Sequence, residues 1–157
     1  MSHVVELDQS IRFDDTSDDT VLAYANGDHR SVLIPANVKR ECLRVLRARG
    51  HSTKTLYFQL FATGLYFLLK ERIESLTRVV IDLEYMGRDA QIREHLVNLL
   101  RRDGKVIDAE QIQFAQIGKV SPAHDLAIDT LRRRKEPDQV LTVEDILGQF
   151  RSKGKRR

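Results

Sequence analysis

The sequence predicts an α/β fold, a mixed sheet flanked by helices, and three observations predict it. Val79-Val80-Ile81-Asp82-Leu83-Glu84-Tyr85 is an apolar run that ends in carboxylates, the pattern of a buried strand delivering Asp82 to its C-terminal end. Val21–Ala25 and Arg30–Ile34 are strand-like and are joined by Asn26-Gly27-Asp28; Asn-Gly between two such runs is a strong hairpin signal. The remaining apolar stretches have helical spacing and are bounded by capping residues, glycine or proline. Strands alternating with amphipathic helices bury a sheet under those helices.

Each element follows in chain order. Val4–Leu7 forms a first strand that ends near Asp8, and an acid-rich loop follows. Pro35 ends the second hairpin strand, because it cannot donate to a ladder. Asn37 caps a helix over Val38–Arg49, which Gly50 stops. Ser52 caps a second helix over Thr53–Ile73. Its segment Leu56–Leu69 is apolar on nearly every side, more than one small sheet covers, so a homodimer through this helix is expected. Arg78–Glu84 is the central strand. Asp89–Arg102 is a helix with Ile92, Leu96, Leu99 and Leu100 on one face, stopped by Asp103-Gly104. Ile112–Ile117 is a strand and Gly118-Lys119 a turn. Ser121 caps a helix over Pro122–Arg134, with Pro122 at its first position and Asp125 in its first turn. The order is β-β-β-α-α-β-α-β-α, followed by a short final helix over Val140–Phe150 capped by Thr142. Residues 1–150 read as one domain, and Arg151–Arg157 as a basic disordered tail.

Composition narrows the class. The chain has 157 residues, 41% hydrophobic and 31% charged, as a soluble globular protein has. The net charge is +3, yet residues 1–35 hold seven acids and two bases, so the rest is strongly positive. An acidic lip on a basic body suits a site that binds cations and polyanions together. Cys42 is the only cysteine, which excludes an intrachain disulfide and a cysteine-rich zinc site. Met1–Asp8 lacks the basic start and apolar core of a signal peptide, and Leu56–Leu69 falls short of the roughly 20 residues that span a bilayer. A cytoplasmic protein without a membrane partner is expected.

The carboxylates carry the chemistry. Open α/β sheets place their sites at the C-terminal ends of strands. Asp82 arrives there on a strand and Asp125 in a first helical turn, which suggests a metal site. Glu84 lies two residues from Asp82 and shares its strand face. Each residue also has a structural role open to it: Asp82 as a turn cap, Asp125 as a complement to the helix dipole, and Glu41 as an inward acid paired with Arg30 or Arg78.

Four short motifs add a resemblance. Val4-Val5-Glu6-Leu7-Asp8-Gln9-Ser10, Arg40-Glu41-Cys42-Leu43, Ile81-Asp82-Leu83-Glu84-Tyr85 and His124-Asp125-Leu126-Ala127 resemble, in order, the first strand, first helix, fourth strand and final helix of the ribonuclease H-like (retroviral integrase superfamily) proteins. The resemblance covers about residues 4–134. It implies a Mg2+- or Mn2+-dependent nuclease acting on structured or hybrid nucleic acid. The implied metal ligands and catalytic acids are Asp8, Glu41, Asp82 and Asp125, with Glu84 as an extra ligand. His124 would position or protonate a leaving group. Lys119 would contact a phosphate, and Lys39, Arg40, Arg44 and Arg47 form a basic helix face for nucleic acid. The chain departs from the family at Gln9, where a glycine is usual, and in its extra helix over Thr53–Ile73.

Two other readings compete. A non-catalytic interaction module would keep the fold without the metal. Arg30–Arg72 also fits a ribbon-helix-helix pattern, a dimeric DNA-binding regulator that reads the major groove with a two-stranded ribbon bearing His29 and Ser31.

Overall fold

The computed structural model describes residues 4–26, 28–118 and 121–150. Gly27 of the expected hairpin turn, Lys119 and the tail 151–157 lie outside the described residues. The fold is α/β, with a six-stranded mixed sheet and five α-helices among the described residues. In chain order these are β1 (Val4–Ser10), β2 (Thr20–Asn26), β3 (Asp28–Ile34), α1 (Ala36–Ala48), α2 (Thr53–Leu69), β4 (Arg78–Asp82), α3 (Asp89–Arg102), β5 (Ile112–Ala115), α4 (Pro122–Leu131), β6 (Gln139–Val140) and α5 (Val143–Leu147).

The sheet order is β5-β4-β1-β2-β3-β6. The hairpin partners β1, β2 and β3 are antiparallel, while β4 lies parallel to both β1 and β5. The period of two in the strands sorts their side chains onto two faces. Val5, Leu7, Leu22, Tyr24, Val79 and Ile81 face a large core under α1, α2, α3 and α5. Val21, Ala23 and Leu33 face the other way, under Leu126 and Ala127 of α4. Glu6, Asp8, Val80 and Asp82 alternate with the first set and so point to the α4 side.

Most elements form where the local signals put them. Ser121 accepts a hydrogen bond from the Ala123 amide and caps α4, and Thr142 makes a reciprocal capping box with Asp145 at α5. The differences have local causes. α1 begins two residues early, with Pro35 at the cap position and Asn37 exposed inside the helix. α2 stops at Leu69 and a 3-10 turn over Ile73–Ser75 follows. β4 ends at Asp82, and after Leu83, whose amide still donates to the Ala115 carbonyl at 3.1 Å, Glu84 and Tyr85 leave the ladder. The expected final helix divides into β6 and α5. β6 pairs parallel with β3, and Asp138 secures it by accepting from the Ser31 amide at 2.8 Å.

Two expectations rested on the surroundings of α2 and β3. α2 is buried within a single chain, against α3, α1 and the sheet, so the covering expected of a second copy is supplied internally. β3 is paired along its length by β2 and at Val32 and Leu33 by β6, so the edge that the shared ribbon of a ribbon-helix-helix dimer would use is closed in part. Among the described residues, no helix is long and apolar enough to cross a membrane.

Gly64 sets how closely α2 approaches the sheet. A Cβ there would meet Leu22 Cδ1 at 2.6 Å, with Phe13 and Ile34 close behind. Leu22 is fully buried and has no room to yield. Gly64→Val is expected to cost about 1–3 kcal/mol, the usual price of overpacking a core. A urea melt that left the midpoint unchanged would contradict this account of the helix–sheet contact.

Candidate metal centre

β1 and β4 run in the same direction with Leu7 beside Ile81, so the next residues on each strand, Asp8 and Asp82, emerge side by side. Chain direction and register thus bring two acids to the C-terminal edge of the sheet. Glu84 follows two residues later. Asp8, Asp82 and Glu84 each offer a carboxylate oxygen, and the three atoms lie within 4.8 Å of one another. This acidic triad could hold a metal ion.

The three acids are held by different partners. Asp8 is 7% exposed, accepts from the Gln9 amide at 2.8 Å through Oδ1, and meets His124 Nδ1 at 2.8 Å through Oδ2. Asp82 Oδ1 accepts from the Ile117 amide at 2.9 Å, which ties the segment after β5 to the site. Glu84 is half-buried and hydrogen-bonded to Asp82. Burial, that hydrogen bond and the charges of Asp82 and Asp8 push the Glu84 carboxyl up to about 7. Burial also raises the Asp8 carboxyl, against the lowering effect of its hydrogen bond to His124. Crowding one acid against others in this way favours its protonated form.

The surroundings brace the triad. Ser121 Oγ donates to Glu6 Oε1 at 3.1 Å, which fixes the start of α4 on β1. Tyr85 donates to Gln9 Oε1 and accepts from the Phe13 amide, each at 3.1 Å. Arg12 donates to the Glu84 carbonyl and stacks on the Tyr85 ring with its guanidinium carbon 4.3 Å from the centroid. Ile11 has φ 68°, a left-handed conformation that costs a β-branched residue about 1–3 kcal/mol, and that turn aims Arg12 across the sheet end.

The predicted site residues therefore divide. Asp8, Asp82, Glu84 and His124 come together. Asp125 does not: it is exposed on the outer side of α4, beside His29 and Asp129. The apolar stripe Ala123, Leu126, Ala127 and Thr130 carries this signal, because Asp125 lies opposite it and His124 at its flank. Glu41 does not join either. It is paired with Arg44 on the surface of α1 at 2.5 Å, and neither Arg30 nor Arg78 is its partner.

The basic residues divide too. Arg40, Arg44 and Arg47 are exposed on α1; Arg40 donates to the Thr16 carbonyl and Arg47 to Thr53 Oγ1. Lys39 is 1% exposed and is no surface cation. Its Nζ donates to the Asp15 carbonyl at 2.6 Å and Thr20 Oγ1 at 2.8 Å, anchoring the acid-rich loop on α1. Burial lowers its ammonium to about 8. The signal was the helical stripe Lys39, Cys42, Leu43 and Leu46.

The chain matches no protein-family model, no curated protein and no solved structure.

The raised Glu84 carboxyl makes stability depend on pH. Between its ordinary value of 4.5 and about 7 the folded state holds a proton that the unfolded chain releases. This contribution is full below pH 4.5 and is lost as pH rises through about 7. In EDTA the melting temperature of the wild type is expected to fall from pH 5 to pH 8 by more than that of Glu84→Gln. Parallel melting curves across that range would refute the raised Glu84 carboxyl.

Proposed function

We propose that this chain is a divalent-metal-dependent phosphodiester hydrolase of ribonuclease H-like architecture, acting on nucleic acid. The observation that carries the reading is the convergence of the Asp8, Asp82 and Glu84 carboxylates within 4.8 Å at the ends of two parallel neighbouring strands. The strand order β5-β4-β1-β2-β3, with only β2 antiparallel to the others, supports it, since it is the arrangement that ribonuclease H-like proteins share.

The donor set fits Mg2+ or Mn2+. All three acids offer hard oxygen, and Mg2+ keeps several waters, so a few carboxylates suffice. The raised carboxyls of Asp8 and Glu84 are consistent with a site that gains from a positive ion. A divalent cation held there supplies Lewis acidity toward a phosphodiester and its attacking water.

The chain's own residues have separable tasks. Asp82 is oriented by the Ile117 amide, which leaves its second oxygen for a ligand. Asp8 bridges the triad and His124. A carboxylate at 2.8 Å favours the proton on His124 Nδ1, so Nε2 is left as the ring atom that can accept or return a proton near the reacting phosphate. Glu84 must release its proton for a cation to bind, which makes affinity rise with pH.

Mg2+ or Mn2+ at millimolar concentration is expected to raise the melting temperature, by more at pH 8 than at pH 5, and Asp82→Asn to abolish the shift. Cleavage of labelled hybrid, branched or single-stranded substrates should appear only with the metal and vanish in Asp82→Asn. His124→Ala should keep the thermal shift and lose most of the rate, about 100-fold or more for a lost acid–base group. A wild-type melting curve indifferent to metal would favour the non-catalytic interaction module.

A further inference from the structure

A second feature lies near the same end of the sheet as the triad but on the α2 face, beyond the Arg12–Tyr85 contact. A shallow cleft opens there between the loop after β1, the first turn of α2 and the segment leading into α3. Three cations line it, Arg12, Lys54 and Arg88, against one acid, Asp14, which is paired with Arg12 at 3.2 Å. Lys54 is exposed and has no ion-pair partner among the described residues. The cleft is thus net positive, although it adjoins an acidic centre.

Its floor is aromatic, and the cations lie on that floor. Arg12 covers Tyr85 at 4.3 Å, and Arg88 covers Phe58 at 5.3 Å. Both rings are nearly buried, so each guanidinium is backed on one face by carbon and presents the other outward. Both arginines are held from the side as well, Arg12 by the Glu84 carbonyl and Arg88 by Gln91 Oε1 at 3.0 Å. Half-buried Tyr57 and Met86, which is 85% exposed, add apolar surface at the rim. A flat, ring-backed guanidinium can stack on an unpaired base and also bond a phosphate. Phosphate-binding cations interleaved with stacking surfaces are the chemistry of single-strand recognition.

We infer that this cleft binds an unpaired nucleic-acid strand leading into the acidic triad, with Arg12 and Arg88 as base-stacking and phosphate contacts and Lys54 as a phosphate contact. The inference rests on the hydrolase reading, and it names the form of the substrate: one whose scissile phosphodiester adjoins a single-stranded segment. Arg12 connects the two places, since it floors the cleft while bonding the Glu84 carbonyl. A blunt duplex stacks its bases internally and offers no free face to the two arginines.

The test is equilibrium binding of fluorescein-labelled single-stranded DNA and RNA 12-mers by the full chain, in EDTA and low salt. Metal is absent, so failure of the metal centre cannot masquerade as failure of the cleft. The wild type is expected to bind the single strands at least tenfold more tightly than a blunt duplex of equal length. Lys54→Glu and Arg88→Ala should each weaken single-strand binding on the order of tenfold and reduce the log–log salt slope by about 0.7 per lost phosphate contact. Arg88→Lys keeps the charge and loses the flat face, so it should retain the slope and lose affinity. Lys135→Glu, an exposed charge reversal beyond the end of α4, should bind as the wild type does. Melting temperatures within two degrees of wild type qualify a variant, and Lys54, exposed on the surface, supplies one that does not depend on core packing. Equal affinity for blunt duplex, loss confined to Arg44→Glu and Arg47→Glu on α1, or no binding of single strands at low salt would each overturn the assignment.

Discussion

The register between β1 and β4 is the constraint on which the candidate centre depends. Parallel neighbours lie about 4.8 Å apart, so pairing Leu7 with Ile81 leaves Asp8 and Asp82 no choice but proximity. A one-residue slip of either strand would move its acid to the opposite face, into the apolar core. Hydrophobic alternation therefore enforces the electrostatic arrangement. Val5, Leu7, Val79 and Ile81 must all be buried on one side, and that requirement is what holds two mutually repelling carboxylates together on the other. The core contributes the free energy, and the acids are placed by it against their own preference.

The elements around this pair serve to hold it. α4 lies across β1, with Ser121 on Glu6 and His124 on Asp8. Two bonds from one helix to alternate residues of one strand define the helix's position along it. On the opposite face, Tyr85 links Gln9 to the Phe13 amide, so the segment leaving β4 and the loop leaving β1 are tied together. Lys39 fixes the rest of that loop from beneath. Its amine replaces water for the Asp15 carbonyl and the Thr20 hydroxyl, and truncating it would orphan both. A loop rich in acids thus stays ordered because a buried cation satisfies its backbone, and the acids themselves remain at the surface.

Much of the fold was legible. α3 spans Asp89–Arg102 as its spacing requires, because its apolar face and its Asp103-Gly104 stop are both local. β6 was not legible: two residues carry no periodicity, and only β3 and Asp138 make them a strand. At the centre, Asp8, Asp82 and Glu84 were readable because a strand's period of two is unambiguous. The choice between His124 and Asp125 was harder, since adjacent helical residues point 100° apart. The motif favoured Asp125, while the buried stripe of α4 selects His124. Lys39 and Glu41 were exchanged because the stripe of α1 was read through Val38 and Val45, whereas the buried residues are Val38, Lys39, Cys42, Leu43 and Leu46. Arg12 was invisible, because its partner Glu84 is 72 residues away in the chain.

β6 also bears on how the edges of the sheet are protected. A sheet has two edges, and each unpaired edge is a template for another chain. Here the seven-residue β3 would be the longer of the two, and two residues of β6 with the Asp138 carboxylate close part of it. The other edge, β5, is only four residues long and ends beside the triad. β6 closes part of that long edge three strands away from β1, which carries Asp8. The C-terminal segment is in that sense an edge guard: it leaves less of β3 open to pairing with another strand.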